Sequence, residues 1–206
     1  MSWFPHFGAD SAPARGRFSS SALSVAGFVQ ARPLLAFMTL LLLVTVYRAW
    51  VMISMALPLY VDEAYYWSWA QNLDWGYFSK PPAIAVLIAA TTSVCGDSEF
   101  CVRAGALFLH PITALLIFLT GRKLFGTTVG FIAGLVYMTM PAIALSSMVI
   151  STDVLLILFW SFALYFFIEA LERNHWVLWV LLGLSVGLGL LSKYSMIVFA
   201  ASALLY

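Results

Sequence analysis

The sequence predicts an all-α polytopic membrane protein: a transmembrane helix bundle with a helical loop lying along its outer face. Three observations carry this. Of the 206 residues, 63% are hydrophobic and 9% are charged, against about 25% charge in a soluble domain. Mean hydropathy is +0.97. Apolar runs of spanning length recur between short polar breaks, and the one long interruption is the stretch 60–82, YVDEAYYWSWAQNLDWGYFSKPP. A net charge of +1 argues against nucleic acid as a partner.

Residues 1–32 read as a disordered cytoplasmic tail. They are rich in Ser, Ala, Gly and Pro and lack a signal-type apolar core. Arg15, Arg17 and Arg32 would hold this end inside. The transmembrane domain is then 33–206. Its last residue, Tyr206, falls inside an apolar run, so a truncated chain is expected.

The first apolar run, 33–59, exceeds the roughly 20 residues a bilayer core requires. Arg48 lies within it and is expected to snorkel outward or to face a polar cavity that helps to bind an anion. The next run, 83–94, would extend only about 18 Å as a helix. It is expected to be interfacial or re-entrant, starting after Pro81 and Pro82. Spans are then expected over 100–119, over 129–149 with Pro141 as a tolerated kink, over 154–167 and over 176–191. Ser192-Lys193-Tyr194 is a polar break before another span begins at Met196. Gly183-x-x-x-Gly187, with Gly189, suggests a close helix crossing. His110 lies well inside a span and is expected to face a neighbouring helix.

Charge supports this threading. Arg122, Lys123 and Arg173 fall on the side of the N-terminal arginines, as the positive-inside rule asks. Asp62, Glu63, Asp74, Asp97, Glu99 and Asp153 fall on the other. If 83–94 crossed the membrane, Asp62 and Asp153 would lie on opposite faces. Cys95 and Cys101, the two cysteines of the chain, flank a polar turn on the acidic side. They read as a disulfide if that side is outside the cytoplasm, or as two free thiols near a helix end.

Asp62, Glu63, Lys80, Asp153 and Lys193 thus gather at one interface. The aromatics Tyr65, Tyr66, Trp67 and Trp69 suit a helix at headgroup depth. Each charge alone has a bland explanation. Asp153, after Ser151-Thr152, is a natural first-turn acid, and the lysines could snorkel. Their recurrence on one face suits transfer from a lipid-linked phosphate. Lysine and arginine can hold the phosphate and stabilise the leaving group, and a carboxylate can take the acceptor's proton. No HExxH, paired CxxC, Walker or Rossmann pattern occurs. ATP and nicotinamide chemistry therefore have no support, no cofactor is expected, and a divalent metal has no ligand motif.

Asp62-Glu63 with the aromatic helix, then Gly76-Tyr77-Phe78-Ser79-Lys80-Pro81-Pro82, resembles the polyprenyl-phosphate-sugar-dependent glycosyltransferases of the GT-C fold. The groups it is most similar to are the aminoarabinose transferases of lipid A, the lipopolysaccharide-core galacturonosyltransferases and the protein O-mannosyltransferases. Gly96-Asp97-Ser98-Glu99-Phe100 with Arg103, Gly121-Arg122-Lys123-Leu124-Phe125-Gly126, Ser151-Thr152-Asp153 and Leu191-Ser192-Lys193 follow in the family's order. The resemblance implies Asp62 as the acid required for transfer, with Glu63 beside it and Asp153 as a second acid. It implies donor-phosphate contacts from Lys80, with Lys193 and Arg103 as further candidates. Many members carry Arg three residues after the aspartate, where this chain has Tyr65.

The implied enzyme is an inverting glycosyltransferase in a bacterial inner membrane, with its N-terminus cytoplasmic. It would move a sugar from a polyprenyl-phosphate carrier to an envelope lipid, glycan or protein at the periplasmic face. Two other readings stand beside it: a transporter or flippase for an anionic lipid-linked substrate, and a non-catalytic remnant of the enzyme. A transporter would place its charges deeper in the spans.

Overall fold

The computed structural model describes residues 31–205. The expected tail, 1–32, lies almost wholly outside them. The described residues are mainly helical, with no strand among them. In order they form α1 Pro33–Met55, α2 Val61–Ala70, α3 Ala83–Cys95, α4 Glu99–Phe125, α5 Thr127–Thr139, α6 Pro141–Ser146, α7 Thr152–Arg173 and α8 Trp176–Ser192. A 3-10 turn, Tyr194–Met196, then leads into α9 Ile197–Leu204. Among the described residues α1, α4 and α7 are long and apolar enough to cross a membrane.

Side-chain pairs fix the direction of each helix. The long helix α4 serves as reference, with Arg103 near its start and Lys123 near its end. Phe37 of α1 stacks on Phe118 near the α4 end, with ring centroids 4.8 Å apart. The carbonyl of Leu57, just after α1, accepts from Arg103 near the α4 start. α1 therefore runs antiparallel to α4. On α7, Glu169 pairs with Lys123, so α7 runs parallel to α4. Lys193, after α8, returns to Asp153 at the start of α7. Asp62, Asp153 and Lys193 thus share one end of the bundle with Arg103. Arg122, Lys123 and Arg173 share the other.

α3 does not cross. It has 13 residues, about 20 Å of helix, and stays beside the first turns of α4. Leu87 lies against Gly105, where an added Cβ would come within 2.7 Å of it. Cys95 and Cys101 are disulfide-bonded, with Cα atoms 5.9 Å apart, so of the two readings of this pair the structure has the bonded one. The bridge closes the turn between α3 and α4, where Gly96 adopts φ +88°. We expect Cys95 and Cys101 to take up no maleimide in protein purified without reductant, read by peptide mapping. Reduction should lower stability by about 2 kcal/mol, the entropy of so short a loop, seen as a lower Tm.

Three expectations need correction. The run 129–149 is not one kinked span. It divides at Met140, whose ψ of 134° is extended, and Pro141 begins a new helix. A residue before proline is driven out of the helical region, and proline has no N–H to continue the ladder. α5, α6 and the turn after them together return the length of α4.

Arg48 does not snorkel. It is 6% exposed and donates to the Met138 carbonyl, one of the last carbonyls of α5, which lack partners within their own helix. The negative end of the helix dipole offsets part of the cost of the buried cation.

Gly183 and Gly187 do not make the close crossing either, since a Cβ on either would meet nothing within 4 Å. That role falls to Gly130 and Gly134 of α5. A Cβ at Gly130 would lie 2.5 Å from the Phe118 carbonyl oxygen, and one at Gly134 would lie 2.5 Å from the Phe37 ring. Gly130→Leu is expected to prevent the α4–α5 hairpin from closing, read as loss of folded protein in detergent.

Candidate active site

α2 is anchored from within. Glu63, in its first turn, reaches back to accept the Tyr60 N–H at 3.0 Å, one half of a capping box. The same carboxylate is fully buried. It accepts from Arg103 Nε at 2.8 Å, from the second Arg103 nitrogen at 2.6 Å and from the Ile150 N–H at 2.9 Å. Arg103 also donates to the carbonyls of Leu57 and Pro58, each at 2.9 Å. One ion pair thus ties the α1–α2 link, α2, α4 and the approach to α7 together. Glu63, expected beside the catalytic acid, has its acceptor positions filled. Arg103, expected at the donor phosphate, is 3% exposed and already engaged.

Asp62 points the other way. Successive helical residues are about 100° apart, so an interior Glu63 turns its neighbour outward. Asp62 is exposed and lines a cavity of about 540 Å³ with Tyr60, Tyr66, Leu145, Val149, Ile150 and Ser151. Burial pushes the Tyr66 phenol above its ordinary pKa, and the charges of Asp62 and Asp153 add to the shift. Tyr66 therefore remains a neutral hydroxyl at physiological pH. Both carboxylates act on this one phenol, so Asp62 and Asp153 share a neighbourhood.

Asp153 lies in the first turn of α7 and accepts from Lys193 Nζ at 2.6 Å. Lys193 has left α8 in an extended conformation, φ −158° and ψ 133°, which turns its side chain back toward α7. The break expected near Lys193 is therefore what makes this pair.

Lys80 ends the loop after α2. The loop is held by Tyr77, whose ring stacks on Trp69 at 4.6 Å and whose hydroxyl accepts the Asp74 N–H at 3.1 Å. Trp67 Nε1 donates to Asp97 at 3.1 Å, tying α2 to the disulfide turn. Lys80 is half-buried and, among the described residues, its ammonium makes no ion pair. Pro81 and Pro82, which follow it, line apolar grooves. One groove, of about 590 Å³, runs past Gly183, Gly187 and Tyr194. The other, of about 790 Å³, runs past Val86, Leu155 and Phe159. They share Trp75, Pro82, Leu188 and Leu191. Trp75 stands 94% exposed above them.

Groove and cavity back onto one cluster, which includes Tyr66, Ile84, Ile88, Ile150, Val154 and Leu155. Among the described residues no three His, Cys, Asp or Glu side chains converge, so no metal ligand set is assigned. Sequence reasoning missed the partners of Glu63. The available signal was two opposite charges, Glu63 and Arg103, in strongly apolar surroundings, where neither is stable alone.

Fold and site together define an all-α polytopic membrane protein in which Asp62, Asp153 and Lys193 collect at one end of the bundle. The family model described as dolichyl-phosphate-mannose-protein mannosyltransferase matches residues 79–206, and the chain belongs to that family. It is 37% identical over 161 residues to a lipid A galacturonosyltransferase, RgtD, of Rhizobium johnstonii. That match covers 76% of this chain and 34% of the relative. It is 26% identical over 126 residues to an undecaprenyl phosphate-alpha-4-amino-4-deoxy-L-arabinose arabinosyl transferase of Pseudomonas savastanoi pv. phaseolicola, covering 57% of this chain and 23% of that protein. The chain therefore spans about a third or less of the curated relatives it matches. No solved structure matches.

Proposed function

We propose that the protein transfers a sugar from a polyprenyl-phosphate carrier to a hydroxyl of an envelope acceptor, with lipid A or a related glycolipid as the first candidate. The observation that carries this is the unpaired Lys80, followed directly in the chain by the prolines that line the apolar grooves, together with a separate cavity lined by the exposed Asp62. A lipid phosphate needs a cation above an apolar seat, and an acceptor hydroxyl needs a base. The relatives' names add support, one specifying an undecaprenyl-phosphate-linked sugar and the other a lipid A galacturonosyltransferase.

In the proposed reaction the acceptor oxygen bonds to the anomeric carbon as the bond from that carbon to the phosphate oxygen breaks. The electron pair leaves with the lipid phosphate, whose charge Lys80 balances. The acceptor's proton goes to Asp62. Lys193, steered by Asp153, supplies a second positive group near the donor head. Glu63 and Arg103 act by holding α2, not by touching phosphate.

The site end faces the periplasm of an inner membrane in this proposal. The acids at that end, the basic residues Arg122, Lys123 and Arg173 at the other, and the disulfide support it. A cysteine replacing Asn72 should then label in intact cells with an impermeant thiol reagent. Labelling only after lysis would reverse the orientation.

The full-length protein in lipid nanodiscs is the test. Incubated with a polyprenyl-phosphate-linked sugar and lipid A, it should yield glycosylated acceptor by mass spectrometry. Donor movement across the bilayer without covalent product would point to a flippase instead. Lys80→Ala is expected to raise donor KM about 10- to 100-fold, the effect of one charge-assisted contact of about 1.5–3 kcal/mol, while acceptor KM stays unchanged.

A further inference from the structure

We propose that His110, deep in α4, is a positioning residue for this transfer: through Ser146 it fixes the wall of the acceptor cavity that faces Asp62. The inference rests on the reading of that cavity given above. His110 is fully buried, and both ring nitrogens are engaged. Nδ1 meets the Tyr137 hydroxyl at 2.8 Å, and Nε2 meets the Ser146 hydroxyl at 3.0 Å. Tyr137 is anchored in α5, where it packs against the cluster of Phe37, Phe118 and Met138. The next residue, Met138, receives Arg48 from α1. The imidazole plane is therefore set by α4 and α5, and its remaining nitrogen is aimed at α6.

α6 cannot hold its own position. It has six residues, well under the length at which a helix is stable by itself, and it is cut from α5 by Pro141. Beyond Ser146 the chain runs as a turn to α7. Leu145, Val149, Ile150 and Ser151 of this segment form the cavity wall. Among the described residues two side-chain hydrogen bonds connect the segment to the rest of the bundle. One is Glu63 with the Ile150 N–H, and the other is His110 with Ser146. The first ties the wall to the helix that carries Asp62. The second ties it to the membrane interior.

An imidazole buried in a span is costly unless both nitrogens are satisfied. An apolar residue at position 110 could pack the same helix face, but it could not capture Ser146. Releasing Ser146 lets the wall move relative to Asp62, and a displacement of about 1 Å in a reacting group can cost about 100-fold in rate.

The test uses the full-length protein in nanodiscs. Ser146→Ala removes one hydroxyl at a half-buried position. It should lower kcat/KM for the acceptor about tenfold or more, as loss of alignment predicts, with donor KM unchanged and Tm lowered only by the cost of one unsatisfied buried nitrogen. Ser146→Thr, which restores a hydroxyl, should recover most of the loss. The double variant His110→Ala/Ser146→Ala should be no worse than His110→Ala alone, because the two act through one bond.

A second readout does not depend on catalysis. A cysteine replacing Val149, with Cys95 and Cys101 bridged and labelling at position 149 read by peptide mapping, should label several-fold faster with a thiol reagent when Ser146→Ala is added. Unchanged labelling and unchanged acceptor kinetics would overturn the proposal. So would donor and acceptor parameters falling together with Tm. If the parent protein transfers no sugar at all, the functional reading fails, and the labelling rates still decide whether His110 sets the wall.

Discussion

Asp62→Asn in the full-length protein is expected to lower kcat for sugar transfer by about 100- to 10,000-fold, the range supplied by a single general base. Thermal stability and donor KM should stay as in the parent. The expectation follows from the position of the side chain. Asp62 is exposed on the first turn of α2, and among the described residues its carboxylate makes no hydrogen bond or ion pair, so removing its charge breaks nothing in the fold. Asparagine keeps the shape and cannot take the proton. Steady-state transfer rates with donor binding measured in parallel would check it, and an unchanged kcat would remove Asp62 from the chemistry.

Arg103→Ala should have the largest effect on the fold. It would leave the fully buried Glu63 carboxylate without its cation, and breaking a buried pair from one side costs about 3–5 kcal/mol. It would also release the carbonyls of Leu57 and Pro58. For a protein with a stability of about 5–15 kcal/mol, this predicts a sharp drop in Tm and in recovered folded protein. Glu63→Gln should be similarly damaging, because the guanidinium then stays buried without a carboxylate. Replacing both with methionine should restore much of the stability, since no isolated charge remains. Transfer should stay impaired in that double variant, because the Ile150 N–H loses its acceptor and the cavity wall its anchor. Recovered activity there would show that Glu63 and Arg103 matter only for folding.

Much of the architecture was legible because the bilayer imposes a length rule. The dozen or so apolar residues at 83–94 cannot cross, and α3 stays at the site end. The break at Lys193 could be read from a polar triplet in an otherwise apolar stretch. Asp62, Asp153 and Lys193 were placed at one end by counting crossings. What could not be read were partners chosen by tertiary geometry. Glu63 and Asp62 are adjacent and chemically alike, and only the rotation of α2 sends one inward and the other to the cavity. Gly130-x-x-x-Gly134 and Gly183-x-x-x-Gly187 have the same spacing, and only the packing tells the close contact from the open face. Arg48 found an acceptor because α5 stops at Pro141 beside it, and a carbonyl freed at a helix end leaves no mark of its own in a sequence.

The apolar grooves at Pro82 are bounded by α3, α7 and α8, and several of their lining residues, Val86, Leu188 and Leu191 among them, are about half-exposed. Apolar side chains left this open on a membrane protein suit contact with lipid tails. A ligand seated there would arrive by two-dimensional diffusion within a leaflet, so its effective concentration is a mole fraction of membrane lipid. Adding inert phospholipid at constant protein and carrier should then slow turnover, and adding water should not.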